Sequence, residues 1–411
     1  VSLVSSFEVG GIRCSCLTAG TILLDGGAMF GVVARPLWEK HFAPDERNRI
    51  RLVVRCLLVE HDEGPILIDT GVGNKGDEKF RKIYGVENTG TNGPTMLEDA
   101  LFELGIAPGD VRYVINTHLH FDHAGGNTFL EGEAPAVPPP RRAAGEGNGG
   151  GEAPAVPPSH RAAGEGNGGG EAPAVPPPRR AAGEGNGGWE APAVPPSHRA
   201  AGEGNGGGEA PAVPPSRRAA GEGNGGGEAP AVPPSRRAAG GERGRGNGEG
   251  AVRVSFPNAT YVVQRGELEA ANNPNERTSA SYLPDNIEPI TAAGAWRLLD
   301  GQEEIVPGIE ALPTPGHTPF HQSILIRDSG ETACFAGDSM PTAAHAPVPW
   351  IMAYDLEPLV MLDTKRDFLA RAEAERWTMV LEHDPDVSLA RIVKGSKSYE
   401  CAPLDTGSEQ T

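Results

Sequence analysis

The stretch V-R-Y-V-I-N-T-H-L-H-F-D-H-A-G-G-N, Val111 to Asn127, decides how the rest of the chain is read. Its first six residues, Val111 to Asn116, form an apolar run rich in β-branched and aromatic side chains, which predicts a buried strand. The second part places His118, His120, Asp122 and His123 within six residues. Two histidines at i and i+2 leaving a strand end can point into one pocket, and Asp122 and His123 follow on the turning loop. Such a dense set of imidazole and carboxylate donors suits zinc, iron, manganese or cobalt. The lack of cysteine among them argues against a purely structural zinc site.

Outward from this segment the chain alternates strand and helix patterns. Arg51–Glu60 and Pro65–Asp69 read as strands joined by the turn Asp62-Glu63-Gly64. Thr95–Leu104 reads as a helix ended by Gly105. Further strands are expected at 259–264, 309–313, 323–327, 332–336 and 378–382, and an amphipathic helix at 357–376. Strands and helices mixed around one core predict a layered α/β domain.

The middle of the chain does not fit that pattern. A 19-residue unit, G-E-A-P-A-V-P-P-x-x-R-A-A-G-E-G-N-G-G, recurs from Gly132, Gly151, Gly170, Trp189, Gly208 and Gly227. Each copy offers alanine, one valine and many prolines and glycines, too little apolar surface to offset the entropy of ordering. Residues 132–250 are therefore expected to be disordered tandem repeats, with polyproline-like pieces at Val-Pro-Pro. His160 and His198 belong to these copies and are not ligand candidates. The expected organisation is a domain split into 1–131 and 251–395, the repeats between them, and a flexible tail at 396–411. Without the repeats about 290 residues remain, enough for one well-buried core.

The formal net charge is −19, and the repeat block, with 13 Glu and 12 Arg, accounts for about −1 of it. An acidic body repels phosphate backbones, so nucleic acid is not the expected partner. The five cysteines, Cys14, Cys16, Cys56, Cys334 and Cys401, are odd in number and contain no C-x-x-C pair. Cys14 and Cys16 read as small core residues on one strand face. Val1 to Gly10 has no basic segment followed by an apolar run, and no stretch approaches the roughly 20 apolar residues of a membrane span. A cytoplasmic protein without membrane contact is expected.

T-H-L-H-F-D-H resembles the H-x-H-x-D-H signature of the metallo-β-lactamase superfamily. That resemblance implies an α/β fold, a four-layer αβ/βα sandwich with metals at one edge between the two sheets. It also implies three later ligands, which the sequence supplies in order: His317 in P-T-P-G-H-T-P, Asp338 in A-C-F-A-G-D-S and His383 in V-L-E-H-D. By the same resemblance His118, His120 and His317 hold one metal ion, Asp122, His123 and His383 hold a second, and Asp338 bridges them with a hydroxide. Two divalent ions, zinc first among them, would make that hydroxide near neutral pH and polarise the scissile group. Asp122 could also act catalytically by moving a proton. Asp69, in I-L-I-D-T-G, either supports a metal histidine from behind or caps the turn before Gly71. His321 is expected to form hydrogen bonds or to act as a further ligand.

Several branches of the superfamily are disfavoured. Asp338 is not Cys, His120 is not Glu, and no basic surface or basic C-terminal helical region is visible. The resemblance runs instead to the acyl-homoserine lactonase branch and related phosphotriester-cleaving enzymes. It is carried by R-L-V-V-R-C-L-L-V-E-H-D-E-G-P-I-L-I-D-T-G and P-T-P-G-H-T-P-F-H-Q-S. L-L-D-G-G-A-M-F-G, Leu23 to Gly31, sits where that branch has a substrate loop. Many lactonases carry a tyrosine three residues after the bridging aspartate. Here the position is Pro341, and Tyr282 or His345 are the candidate substitutes. Met29, Phe30, Phe121, Tyr282 and Trp350 are candidate walls of a substrate pocket, with ordinary core packing as the alternative for each. The implied activity is metal-dependent hydrolysis of a lactone or ester, a small-molecule substrate. The alternatives are a phosphotriester or phosphodiester hydrolase on the same site, and a non-catalytic scaffold whose repeats bind a partner. Relatives often form homodimers, and no feature of this sequence demands one.

Overall fold

The computed structural model describes residues 2–131 and 250–404. The disorder expected for 132–250 therefore lies almost wholly outside the described residues. The chain divides into one unit made of Val1–Gly145 and Arg243–Thr411 and another of Glu146–Glu242; the second falls entirely outside the described residues.

Sixteen strands build the described part. The first five are β1 (Val4–Val9), β2 (Ile12–Asp25), β3 (Arg49–Glu60), β4 (Ile66–Ile68) and β5 (Tyr113–Ile115). β6 (Thr128–Leu130) and β7 (Val252–Val254) form a small ladder of their own, followed by β8 (Thr260–Gln264) and β9 (Trp296–Leu299). The remainder are β10 (Glu303–Val306), β11 (Ile309–Pro313), β12 (Gln322–Asp328), β13 (Glu331–Phe335), β14 (Thr378–Val380), β15 (Leu389–Lys394) and β16 (Tyr399–Pro403). One seven-stranded sheet runs β1-β2-β3-β4-β5-β8-β9, and a second runs β10 to β16 in order.

The two-residue period of the strands sorts their side chains between layers. Leu57 and Val59 on β3 meet Ile324 and Ile326 on β12 and Phe335 on β13 in a buried core between the sheets. Leu58, one position over, faces the opposite side, where the helix Met96–Glu103 buries Leu97, Ala100 and Leu101. On the second sheet, Leu325 and Cys334 point outward onto the helix Pro358–Ala374, which supplies Phe368, Leu369 and Ala372. Two sheets back to back, each covered by helix, make the four-layer sandwich. Each fully buried aliphatic residue contributes roughly 1.5–3 kcal/mol, so this three-part core is what holds the layers.

Parallel pairing occurs where helices cross between strands: β4 with β5, β5 with β8, β8 with β9, and β13 with β14. The loops after β4, β5, β13 and β14 therefore gather at one edge. Cross-sheet bonds close that edge, with Gln322 Nε2 donating to the Asn116 carbonyl at 2.9 Å and the Gln322 amide to that of Thr117 at 3.0 Å. The segment expected to be a flexible tail from 396 is partly ordered: β16 pairs antiparallel with β15, with Lys394 opposite Tyr399. An edge partner across a short turn orders a polar stretch that carries little apolar signal of its own. Residues 405–411 lie outside the described residues.

Candidate metal centre

Local backbone geometry presents the T-H-L-H-F-D-H side chains. His118 lies three residues beyond β5, and His120 precedes the short helical turn Phe121–Ala124 in extended conformation, so the chain reverses and brings Asp122 and His123 back over the strand end. The glycines after them allow very close packing. A Cβ on Gly125 would lie 2.1 Å from the Val72 carbonyl oxygen, and one on Gly126 would lie 2.2 Å from that of Thr70. Half-buried Lys75 ties the same loop down by donating to the Gly125 and Thr128 carbonyls.

His118, His120, His317 and Asp338 each offer a ligand atom within 4.8 Å of the others, and so do Asp122, His123 and His383. All seven side chains are buried. Asp338 stands between the two groups: its Oδ2 is 3.0 Å from His317 Nε2 and 3.6 Å from His123 Nε2, and its Oδ1 is 3.2 Å from His383 Nε2. Asp122 completes the second group, its Oδ2 being 3.9 Å from His383 Nε2.

The rear nitrogens of four imidazoles are engaged by acceptors. Nδ1 of His118 lies 3.1 Å from the Thr117 hydroxyl, which itself donates to Asp69 Oδ2 at 2.6 Å. His317 Nδ1 donates to Asp355 Oδ1 at 3.0 Å, and His383 Nδ1 to the Val53 carbonyl at 2.9 Å. His123 Nδ1 faces Asp69 Oδ2 at 3.0 Å. Held from behind in this way, each of these rings turns its Nε2 toward the centre. His118 Nε2 and Asp338 Oδ1 are buried with no hydrogen-bond partner. A buried ring of lone pairs and carboxylate oxygens lacks a positive charge, and a cation fits that donor set.

Packed so closely, the groups of the centre shift one another in opposite directions. Burial and the surrounding imidazoles push His118 and His120 well below the ordinary histidine range. Burial works in the same direction on His383, but the neighbouring carboxylates of Asp338 and Glu382 outweigh it and raise the ring to about 9. Burial would raise Asp338; His317 and His123 overcome it and hold the carboxyl well below the usual range.

Asp69 sits at the end of β4 with φ +54°, a left-handed conformation rare for a residue with a Cβ. Its carboxylate accepts from the Thr117 amide at 2.8 Å, the Thr117 hydroxyl and His123. Support of the His123 ring is thus the reading the geometry favours over a cap of its own turn. His321 bonds through both nitrogens, Nδ1 to the Thr314 hydroxyl at 2.8 Å and Nε2 from the Asp338 amide at 3.1 Å, which leaves none for an ion.

A cavity of about 280 Å³ opens over the centre, with His120, Asp122, His317, Asp338 and His383 on its floor. Met29 and Phe121 line it, together with Leu24, Tyr84, Met352 and Tyr354. Three expected walls are corrected. Phe30 is fully buried, stacked between Trp38 and His345 at 5.5 and 4.7 Å. Trp350 sets its edge against Phe30 and His41 and lies off the cavity. Tyr282 packs its ring on His120 but turns its hydroxyl away to Glu267 Oε1, 2.8 Å off. Neither candidate substitute for a tyrosine at 341 reaches the cavity, since His345 is also held, by the Thr342 hydroxyl and the Met29 carbonyl. The Pro341 carbonyl instead accepts the His383 amide at 3.0 Å.

Sequence reasoning missed four residues here. Asp355 fixes His317, and Glu382 lies against His123. Glu267 accepts from the Leu119 amide, the Thr318 hydroxyl and Tyr282, joining the His118–His120 loop to the His317 loop. Arg277 lines the cavity and bonds the carbonyls of Ala353 and Asp355. Only Glu382 carried a signal, as the carboxylate beside a ligand in V-L-E-H-D.

Residues 49–211 match the metallo-β-lactamase superfamily. The chain carries a metallo-β-lactamase superfamily domain. It is 42% identical over 280 residues to an N-acyl homoserine lactonase of a Bacillus species, which covers 67% of this chain and 58% of the relative. It is 41% identical over 85 residues to an N-acyl homoserine lactonase of Bacillus cereus, 20% of this chain and 34% of the relative. It thus spans about a third to three fifths of the curated relatives it matches. Among solved structures, a probable metal-dependent hydrolase from Staphylococcus aureus superposes with TM-score 0.63 at 21% identity, over 97% of this chain and 99% of that one. AidC, a dizinc quorum-quenching lactonase, superposes with TM-score 0.58 at 14% identity, over 98% and 99%. Both show that the metallo-β-lactamase fold is shared.

Proposed function

We propose that the chain is a binuclear metal-dependent hydrolase that opens a lactone or simple ester. The observation that carries the reading is the pair of buried donor groups sharing Asp338 on the floor of an apolar-walled cavity. His118, His120 and His317 would hold one divalent ion, Asp122, His123 and His383 the other, and Asp338 both. Zinc suits the nitrogen- and oxygen-rich set, and iron, manganese or cobalt are compatible with it. When bound, such ions acidify water and polarise a carbonyl oxygen.

The chain's own residues supply the rest. Leu24, Met29, Phe121 and Met352 give the cavity walls that accept an acyl or alkyl chain. Tyr84 and Tyr354 are raised by burial, so both phenols keep their protons at neutral pH and can donate to a substrate oxygen. Asp122, on the floor, is placed to take a proton from water and return it to the leaving oxygen. That the Bacillus relatives are N-acyl homoserine lactonases supports the same bond class. All five cysteines are free, which supports a reducing, cytoplasmic setting. No helix among the described residues is long and apolar enough to cross a membrane.

An initial-rate panel on metal-reconstituted protein tests this, with acyl-homoserine lactones, aryl esters, a phosphotriester and a phosphodiester. Chelator-sensitive turnover of lactones or esters is expected. Turnover confined to phosphorus esters would replace the proposal with that chemistry.

A further inference from the structure

Glu382 is fully buried, yet neither of its carboxylate oxygens has a hydrogen-bond partner. Its Oε2 lies 3.1 Å from His123 Nδ1. That nitrogen is already served by Asp69 Oδ2 at 3.0 Å. Two carboxylates thus converge behind one imidazole, where one is the ordinary arrangement. Asp69, Glu382 and His123 Nδ1 all lie within 4.8 Å of one another.

The backbone explains why Glu382 is aimed there. It follows β14 in a bend, where the Glu382 and His383 side chains diverge, Glu382 toward His123 Nδ1 and His383 into the cavity. Buried Arg55 on β3 fixes this turn from below, donating to the carbonyls of Leu381, Glu382 and Asp384. The Val53 amide donates to the His383 carbonyl at 3.3 Å. Glu382 cannot swing out to water, so its charge or polarity is spent on His123. Leaving such a group buried beside an imidazole is costly unless something positive lies in front of that ring.

We infer that Glu382 is a positioning residue for the ion held by Asp122, His123 and His383, acting through the rear nitrogen of His123. With Asp69 it fixes the ring on both sides and adds negative charge behind it, which makes Nε2 a stronger donor. The effect is specific to that ion, because Glu382 meets His123, whereas Thr117 stands behind His118 and Asp355 behind His317. The inference rests on the two-ion reading above.

The test is stepwise metal competition with a graded chelator on full-length protein loaded with zinc, and with cobalt for its visible spectrum. Wild type and Glu382→Gln are compared, and Glu382→Asp serves as the conservative variant. Glu382→Gln is expected to release one of two ions about 10–100-fold more readily and leave the other unchanged. The cobalt bands of the weakened ion should shift, and Glu382→Asp should recover part of the affinity. Circular dichroism showing native fold in the variants keeps the comparison valid. If wild type binds two ions and Glu382→Gln holds both as tightly, the inference fails and the two-ion reading stands. If wild type binds fewer than two, that reading itself fails. Three ions in wild type and two in Glu382→Gln would overturn positioning in favour of a third ion on Asp69, His123 and Glu382.

Discussion

At the scale of single residues, the centre is defined as much by what stands behind the ligands as by the ligands. All seven donors lie in short local motifs with recognisable neighbours, and these were legible in the sequence. Their supports were not. Asp355 reaches His317 across 38 positions and Glu267 reaches Leu119 across 148, so nothing local announces either. The same holds for Lys365, which lies buried in the helix Pro358–Ala374 and donates to the Trp350 carbonyl. Burial lowers its ammonium from the ordinary range to about 7. The unfolded chain then binds the extra proton between about pH 7 and 10.5, so the cost to the fold is full below pH 7 and shrinks as pH rises through that window. Lys365→Met is expected to stabilise the protein at pH 7 and to flatten the rise in stability toward pH 10. Denaturant midpoints across that range check it; equal slopes in both proteins would contradict it.

At the scale of elements, the strong periodic strands declared themselves. β3, β11 and β13 carry apolar runs bounded by turn residues, and their observed limits fall within two residues of those expected. β1 and the pair of β15 and β16 did not, because V-S-S-F-E-V and Y-E-C-A-P owe their strand form to a paired neighbour rather than to their own pattern. The loops between elements carry the demands of the centre. Gly73 has φ +70°, and a Cβ there would lie 2.3 Å from the Gly125 carbonyl oxygen, against the loop that bears His123. Gly294 has φ +64° with nothing within 4 Å. Gly294→Ala should therefore cost about 1 kcal/mol from backbone conformation alone. Gly73→Ala should cost about 1–3 kcal/mol beyond that and loosen metal binding. Thermal melts of the two variants in parallel decide this. Equal losses would mean that the Gly73 contact relaxes freely.

At the scale of the whole molecule, the repeats enter and leave at one place. β6 and β7 pair antiparallel, Thr128 opposite Val254, and the Glu131 amide donates to the Ala251 carbonyl at 2.8 Å. Chain ends so close together can be joined by a short turn. On the reading of 132–250 as chain without a core, replacing it by four residues shortens a long closure and should stabilise the domain by up to about 3 kcal/mol. Metal content and turnover should be unchanged, and their loss would return the working role to the repeats. The measurement that bears most directly on the centre is turnover of the best substrate against metal equivalents added to metal-free, full-length protein. The two-ion account predicts activity that rises with added metal and reaches its plateau at two equivalents per chain. A plateau at one equivalent, or turnover that needs no metal, would contradict it.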